Sequence, residues 1–143
     1  MEFKILNDLN DDIIAIREEA FIKGRGVPKE IELDGKDPYL KHFCLYHNGR
    51  LYAYLRAEDI GDLLHIGRVA VAEDLRGKGY GRALLEYLLE YAKTNNYNSV
   101  ELSAVNTAVG FYEKLGFSCE GDYYDEAGAP HIYMKFEFER DKI

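Results

Sequence analysis

The chain has 143 residues, 47% of them hydrophobic and 31% charged, which suits one compact domain spanning residues 1–143 that can bury its core without metal or disulfides. Lys and Arg number 18 against 26 Asp and Glu, and the net charge of −8 repels a phosphate backbone, so nucleic acid is not an expected partner. The N-terminal stretch lacks a basic segment followed by a long apolar run, and no apolar run reaches about 18 residues, so neither export nor membrane insertion is expected and the cytoplasm is the default.

Met1 to Leu6 reads as a short strand. Asp11 to Ile22 follows with apolar residues at Ile13, Ile14, Ile16, Ala20 and Phe21, a helical spacing after an Asn/Asp-rich start. Lys23 to Lys41 is rich in Gly, Pro and charge and predicts a long loop or a broken helix, the kind of connection that carries substrate contacts. His42 to Glu58 holds two apolar runs around Asn48-Gly49, a pair that supplies the positive φ angles of a tight hairpin turn. Leu63 to Ala72 is a further strand, and the run Arg76-Gly77-Lys78-Gly79-Tyr80-Gly81 leads into a helix with Leu84, Leu85, Leu88 and Ala92 on one face. Asn95-Asn96 stops that helix. Ser99 to Ala104 predicts a strand, Thr107 to Leu115 a helix ended by Gly116, and Phe117 to Tyr124 and Ile132 to Phe138 two last strands. The order predicts a mixed α/β (α+β) fold, mainly antiparallel with one strand–helix–strand unit. Cys44 and Cys119 lie in apolar, strand-like surroundings and read as buried thiols, neither a bridge nor a zinc site; no metal is expected.

The turn from Arg76 to Arg82 is the strongest chemical feature. Its glycines let backbone N–H groups close on a ligand, the new helix adds its positive end, and Arg76, Lys78 and Arg82 put three cations into seven residues with no acid among them. The plainer reading is a glycine-bearing helix start with solvated basic residues. A nucleotide-triphosphate loop fails, because Gly77-Lys78 is followed by Gly79 and not by Ser or Thr. A dinucleotide fingerprint is a weak rival: the glycines at 77, 79 and 81 miss its spacing, although Glu101 lies roughly twenty residues on, where a ribose-binding acid would.

The third pattern is R-x-x-G-x-G after the strand Val69-Ala70-Val71. Together with the run from Asn106 to Phe117 (NTAVGFYEKLGF), in order and at the right spacing, it makes the chain resemble the GNAT superfamily of acyl-CoA N-acyltransferases. Asp125 to Ile132 and the stretch Gly26-Val27-Pro28…Glu32-Leu33-Asp34 resemble the branch of small acyltransferases that includes glyphosate N-acetyltransferase. The resemblance covers nearly the whole chain and implies a sheet of six to seven strands flanked by helices, with a splayed strand pair. Near Lys23-Gly24-Arg25 the chain lacks the acid and amide residues of many relatives, so the acceptor stays open.

The resemblance implies that the backbone of Val69, Ala70 and Val71 lines the pantetheine arm of acetyl-CoA, and that Arg76, Gly77, Lys78, Gly79, Tyr80, Gly81 and Arg82 hold its pyrophosphate. Plain strand packing explains Val69 and Val71 equally well. Tyr112 falls where the family has a general acid for the departing thiolate, and Asn106 where a residue caps the following helix and touches CoA; as an N-cap it needs no further role. The acceptor amine must be neutral to attack, so a base is useful, and His42, His47, His65 and His131 are available. His131, in the Pro130-His131 pair of the branch, comes first. Glu101 comes second, since other branches place a glutamate base on this strand, and a water relay remains open. Glu32, Asp34, Arg68 and Arg17 are candidates to shape the acceptor pocket, with solvated surface charge the plainer reading of each. The expected activity is acetyl transfer from acetyl-CoA to a small-molecule or peptide amine by direct attack in a ternary complex. A non-catalytic acyl-CoA-binding module is the alternative, and a homodimer is the default assembly of a small enzyme.

Overall fold

The computed structural model describes residues 1–139. In chain order the elements are β1 (Glu2–Leu6), α1 (Asp11–Arg17), a π-helical run Glu18–Lys23, α2 (Lys29–Glu32), β2 (Lys41–His47), β3 (Arg50–Ile60), β4 (Leu63–Val71), α3 (Tyr80–Thr94), β5 (Ser99–Val105), α4 (Val109–Lys114), β6 (Ser118–Glu126) and β7 (Ala129–Glu137). Single 3-10 turns lie at Asp37–Tyr39, Glu73–Leu75 and Asn106–Ala108. The fold is mixed α+β: seven strands form one sheet in the order β1-β2-β3-β4-β5-β7-β6. Ladders β1–β2, β2–β3, β5–β7 and β6–β7 are antiparallel, whereas β4 and β5, joined through α3, are parallel. This ladder is short. It pairs Leu63, Leu64 and His65 with Ser99, Val100 and Glu101, while β4 runs on to Val71 and β5 to Val105. A dinucleotide-binding domain is doubly wound and mostly parallel, so this topology removes that rival.

Local signals account for most boundaries. Asn10 caps α1, its side-chain oxygen accepting the Ile13 N–H at 2.8 Å, and Asp11 and Asp12 complement the helix dipole. Asn48 and Gly49, at φ 49° and 77°, close the β2–β3 hairpin. Asn96 ends α3 at φ 64°. Gly116 ends α4 at φ 103°, and a Cβ there would lie 2.9 Å from the Phe136 ring.

The chain packs as two compact units: Met1–Glu58 with Ile66–Leu88, and Asp59–His65 with the chain from Leu89 onward. The boundary falls within β4 and within α3, both unbroken elements. The first unit buries Ile13, Ile16, Cys44, Tyr46, Leu51, Tyr54, Ala70, Ala72 and Leu75 in one cluster. The second buries Val100, Leu102, Ala104, Ile132 and Met134 from β5 and β7, with Phe117 edge-on to Phe136 at 5.6 Å.

Of the two forms expected for Lys23 to Lys41, a long loop or a broken helix, the structure has the second, with short helical pieces at Lys29–Glu32, after Pro28, and at Asp37–Tyr39, which contains Pro38. Two expectations are corrected. Cys44 is buried as expected, but Cys119 is exposed, because β6 lies at the end of the sheet. Asn106 does not cap α4: Ala108 precedes that helix without a side-chain cap bond, and Asn106 opens a 3-10 turn with its side chain exposed. No helix among the described residues is long and apolar enough to cross a membrane.

Candidate functional site

The glycine turn is the link between β4 and α3. Gly77 and Gly79 sit at φ 77° and 89°, where a side chain would be strained although the space is open, so backbone conformation selects glycine there. Gly79 O accepts the first intrahelical bond, from Ala83 N–H at 3.0 Å. The N–H groups of Tyr80, Gly81 and Arg82 therefore have no acceptor within the helix, and no acid occupies the first turn. The Arg76 side chain folds back to donate to Val71 O at 3.2 Å, tying the turn to the end of β4. Arg76 and Lys78 are exposed, Arg82 pairs with Glu86 at 3.2 Å, and Tyr80 packs edge-on against Tyr52 at 4.8 Å. The fifteen-residue helix thus begins on N–H groups with no intrahelical acceptor, at the end of its dipole that favours an anion, and the chain around its start carries Arg76, Lys78 and Arg82.

Just ahead of this turn, β4 carries an irregularity. Arg68 has φ 54°, and among the described residues it is the single non-glycine residue at positive φ inside a strand segment that is not next to a turn; Asn48, Asn96 and Ala127 sit at chain reversals or a helix end. Its guanidinium is held by Glu32 Oε2 at 2.7 Å, Glu32 O at 3.0 Å and Ile31 O at 3.3 Å. Glu32 also receives Arg17, whose Nε lies 3.0 and 3.1 Å from its two carboxylate oxygens and whose Nη2 lies 2.7 Å from Oε2. Arg17 Nη1 reaches Asp37 at 2.6 Å, and Arg56 bonds both Asp37, at 3.1 Å, and Asp34, at 2.5 and 3.0 Å.

Three arginines and three carboxylates thus form one neutral lattice. Arg17 is 1% exposed and Glu32 2%, so solvated surface charge, the plainer sequence reading, is overturned for both; Asp34 and Arg68 join the same lattice at its edge. The physical reason is mutual neutralisation, which offsets the cost of removing each ion from water. The Arg56 hydrogen bond holds the Asp34 carboxyl well below its ordinary value. Burial pushes Asp37 the other way, but its bonds to Arg17 and Arg56 outweigh this and the net shift is downward. His42 is fully buried beside the lattice, with Nδ1 2.6 Å from Tyr54 OH and Nε2 2.9 Å from Asp37 O, which leaves neither nitrogen for catalysis.

In the second unit the strand register collects the other candidates. On β5, Glu101, Ser103 and Val105 face the same way, and opposite them on β7 stand Lys135, Tyr133 and His131. Beyond β7, Tyr124 pairs with His131 and Glu120 with Tyr133. Tyr133 OH donates to Glu101 Oε1 in a short hydrogen bond, and His65 Nδ1 lies 3.4 Å from the same oxygen. Ser103 Oγ and Tyr124 OH form a second short bond. Glu101 is therefore a held carboxylate, not the solvent-facing strand acid of its plainer reading. Burial, with the bond to Glu101, raises the Tyr133 phenol above its ordinary value.

His131 is 2% exposed. Its Nδ1 lies 2.9 Å from Ala129 O, an atom that can only accept, so Nδ1 donates there. Nε2 faces the Glu126 carboxylate at 3.4 Å. Tyr112 is 7% exposed on α4, edge-on to Phe111 at 5.1 Å and to Phe117 at 5.7 Å, and burial raises its phenol well above the ordinary value. It is a neutral hydrogen-bond donor at any physiological pH.

Sequence reasoning had not singled out Tyr133, Tyr124, Ser103, Arg56 or Asp37, and weighed His65 only as one histidine of four. The period-2 alternation along β5 and β7 could have suggested one polar face; which residues of the two strands stand opposite each other is fixed only by pairing.

The Acetyltransferase (GNAT) domain family matches residues 5–138. The protein ElaA of Escherichia coli is 32% identical over 132 residues, 87% of this chain and 85% of that protein. The crystal structure of E. coli ElaA matches with a TM-score of 0.85 at 29% identity, covering 96% of this chain and 100% of that one. An acyl-CoA N-acyltransferase from Pseudomonas aeruginosa matches at 29% identity and a TM-score of 0.83, over 94% of this chain and 98% of that one. A Bacillus subtilis acetyltransferase solved in complex with CoA shares the fold at 18% identity and a TM-score of 0.78, over 96% of this chain and 99% of that one.

Proposed function

The chain belongs to the GNAT family of acetyltransferases, and from that premise we propose that it transfers an acetyl group from acetyl-CoA to an amine by direct attack in a ternary complex. The observation that carries this reading is the start of α3, where two left-handed glycines lead into N–H groups with no intrahelical acceptor, in a stretch of chain that also holds Arg76, Lys78 and Arg82. We assign the pyrophosphate to Arg76–Arg82 and the pantetheine arm to the backbone of Val69, Ala70 and Val71. The CoA complex of the B. subtilis acetyltransferase supports the choice of donor. Residues 1–143 are read as one domain, because β4 and α3 each run unbroken through both compact units.

Attack on the thioester builds negative charge on its oxygen and then on the leaving sulfur. Fixed backbone N–H groups stabilise the first. Tyr112 serves the second. A phenol at or above its ordinary value near 10 is a weaker acid than a thiol near 8.5, so complete transfer is uphill by at least about 2 kcal/mol, and Tyr112 acts by donating a hydrogen bond to the thiolate. For the base we place His131 first: its Nδ1 is engaged by Ala129 O, and Nε2, 3.4 Å from Glu126, is the nitrogen assigned to take the proton. Glu101, held by Tyr133 and His65, is second, and a water relay with no dedicated base is third. Asn106, exposed at the start of its 3-10 turn, keeps a contact with CoA as its proposed role. The acceptor is a small-molecule or peptide amine, and the enzyme acts in the cytoplasm.

The test is calorimetric titration with CoA, acetyl-CoA and NAD, using Arg76→Glu/Lys78→Glu as control. Binding of both CoA species but not NAD, lost in the double variant, is expected. No CoA binding by the wild-type chain would overturn the reading. CoA binding without acetylation across a broad amine panel would favour the binding-module alternative.

A further inference from the structure

The left-handed Arg68 is an outlier that its surroundings over-determine. A non-glycine residue held in this region is sterically strained, and such strain persists where neighbouring contacts enforce it. Four contacts do so here: Arg68 Nε to Glu32 Oε2 at 2.7 Å, Nη2 to Glu32 O at 3.0 Å, Nη2 to Ile31 O at 3.3 Å, and Nη2 near Asp34 at 3.6 Å. Glu32 is 2% exposed and is gripped in turn by Arg17, itself 1% exposed, so the anchor is rigid. The strained residue immediately precedes Val69, Ala70 and Val71. A left-handed residue within a strand re-aims the backbone groups that follow it, as a bulge does.

We propose that Arg68 is a positioning residue for the acyl donor: the lattice holds its guanidinium, the guanidinium holds the left-handed backbone, and that backbone aims the N–H and C=O groups of Val69–Val71. The assignment rests on the acetyltransferase reading above. Because Glu32 and Asp34 belong to the segment between α1 and β2, the same contacts join that segment to the donor strand within one unit. What matters at position 68 is then backbone conformation, with the positive charge needed only to anchor it.

The test is a substitution series read by CoA and acetyl-CoA affinity, with a thermal melt of each variant as the folding control. Arg68→Gly reaches positive φ without strain. Arg68→Lys keeps the charge but loses the planar fork that bonds a carboxylate and two carbonyls together. Arg68→Ala loses both. Expected affinities fall within about threefold of wild type for the Gly variant and at least about tenfold below it for the Lys and Ala variants, from the steric preference for glycine. A Lys variant binding better than the Gly variant would show charge to be what counts and overturn the assignment. Equal affinity across the series, or a Gly variant that no longer melts cooperatively, would overturn it too. Wild-type chain that binds no CoA would overturn the acetyltransferase reading itself, whereas wild-type binding with a flat series overturns Arg68 alone.

Discussion

Replacing Arg17 by Met removes the centre of the buried ionic lattice. Arg17 donates to Glu32 through Nε and Nη2, including the Glu32 carbonyl at 3.0 Å, and to Asp37 through Nη1 at 2.6 Å. Burial alone would lower its affinity for a proton, but the bonds to Glu32 and Asp37 outweigh it and the charge is held firmly. Removing one partner of a buried pair costs about 3–5 kcal/mol, because the remaining charge stays buried without compensation. Here Glu32 keeps Arg68 at 2.7 Å and Asp37 keeps Arg56 at 3.1 Å, which puts the loss at the lower end, about 3 kcal/mol. At about 2.1 cal/mol/K per residue, unfolding 143 residues carries an entropy of about 0.3 kcal/mol/K, so Tm should fall by about 10 °C. The assay is calorimetric melting at pH 7 in low and high salt, and the drop should be nearly independent of salt, since buried pairs are screened little. A loss under about 3 °C would mean that Arg17 behaves as an exposed charge, whose replacement costs at most about 0.5 kcal/mol, and would refute the reasoning.

Four further outcomes are expected. Tyr112→Phe should lower kcat by about 100-fold, in the range for loss of one hydrogen-bond donor to developing charge, with CoA affinity within about twofold; an unchanged kcat would remove Tyr112 from the chemistry. Gly116→Ala places a Cβ 2.9 Å from Phe136 at φ 103°, so a loss of about 2 kcal/mol or more should lower Tm by at least about 6 °C, and a smaller shift would show that the ring yields freely. In a thiol-reagent titration of native protein at pH 8, Cys119 should react promptly, while Cys44, buried and pushed up to about 12, should react only in denaturant; two fast thiols would contradict the burial of Cys44. Asp34 and Asp37 are held below their ordinary value of 3.8, so the stability they contribute is present above that pH and lost as pH falls below it. Tm should drop below about pH 4, less steeply in Asp34→Asn than in wild type, and parallel curves would dismiss Asp34 as a contributor.

What the sequence revealed follows the range of the interactions involved. Asn48-Gly49, Asn95-Asn96 and Gly116 act within a few residues, and each ends or turns its element where expected. The glycine turn was equally legible, because its cations and its left-handed positions are contiguous. Arg17, Glu32, Asp37, Arg56 and Arg68 are spread over 52 positions, and each alone looks like an ordinary surface charge. Only the fold brings them together and removes them from water. Tyr133 and Ser103 were hidden for the same reason: their meeting with Glu101 and Tyr124 depends on strand register, which no local pattern states. The Asn106 cap failed for a subtler cause, since a 3-10 turn intervenes and moves the helix start three residues on.

Strand β6 ends the sheet with all nine residues exposed, the situation in which one copy of a protein can pair with the next and begin an aggregate. Two features blunt that edge. The ladder to β7 is interrupted between Glu120 and Tyr124, with Gly121 at φ 77°, so the strand does not present a straight row of backbone groups. Glu120, Asp122, Asp125 and Glu126 put four acids on it, half the magnitude of the net charge of −8. Four of the chain's 26 acids, with no Lys or Arg among them, thus lie on an edge strand, where repulsion from its own copies counts. Solubility is thereby coupled to the sequence of one strand: replacing these acids by amides would remove the repulsion and leave Tyr123 and Tyr124, 55% and 39% exposed, to promote self-association.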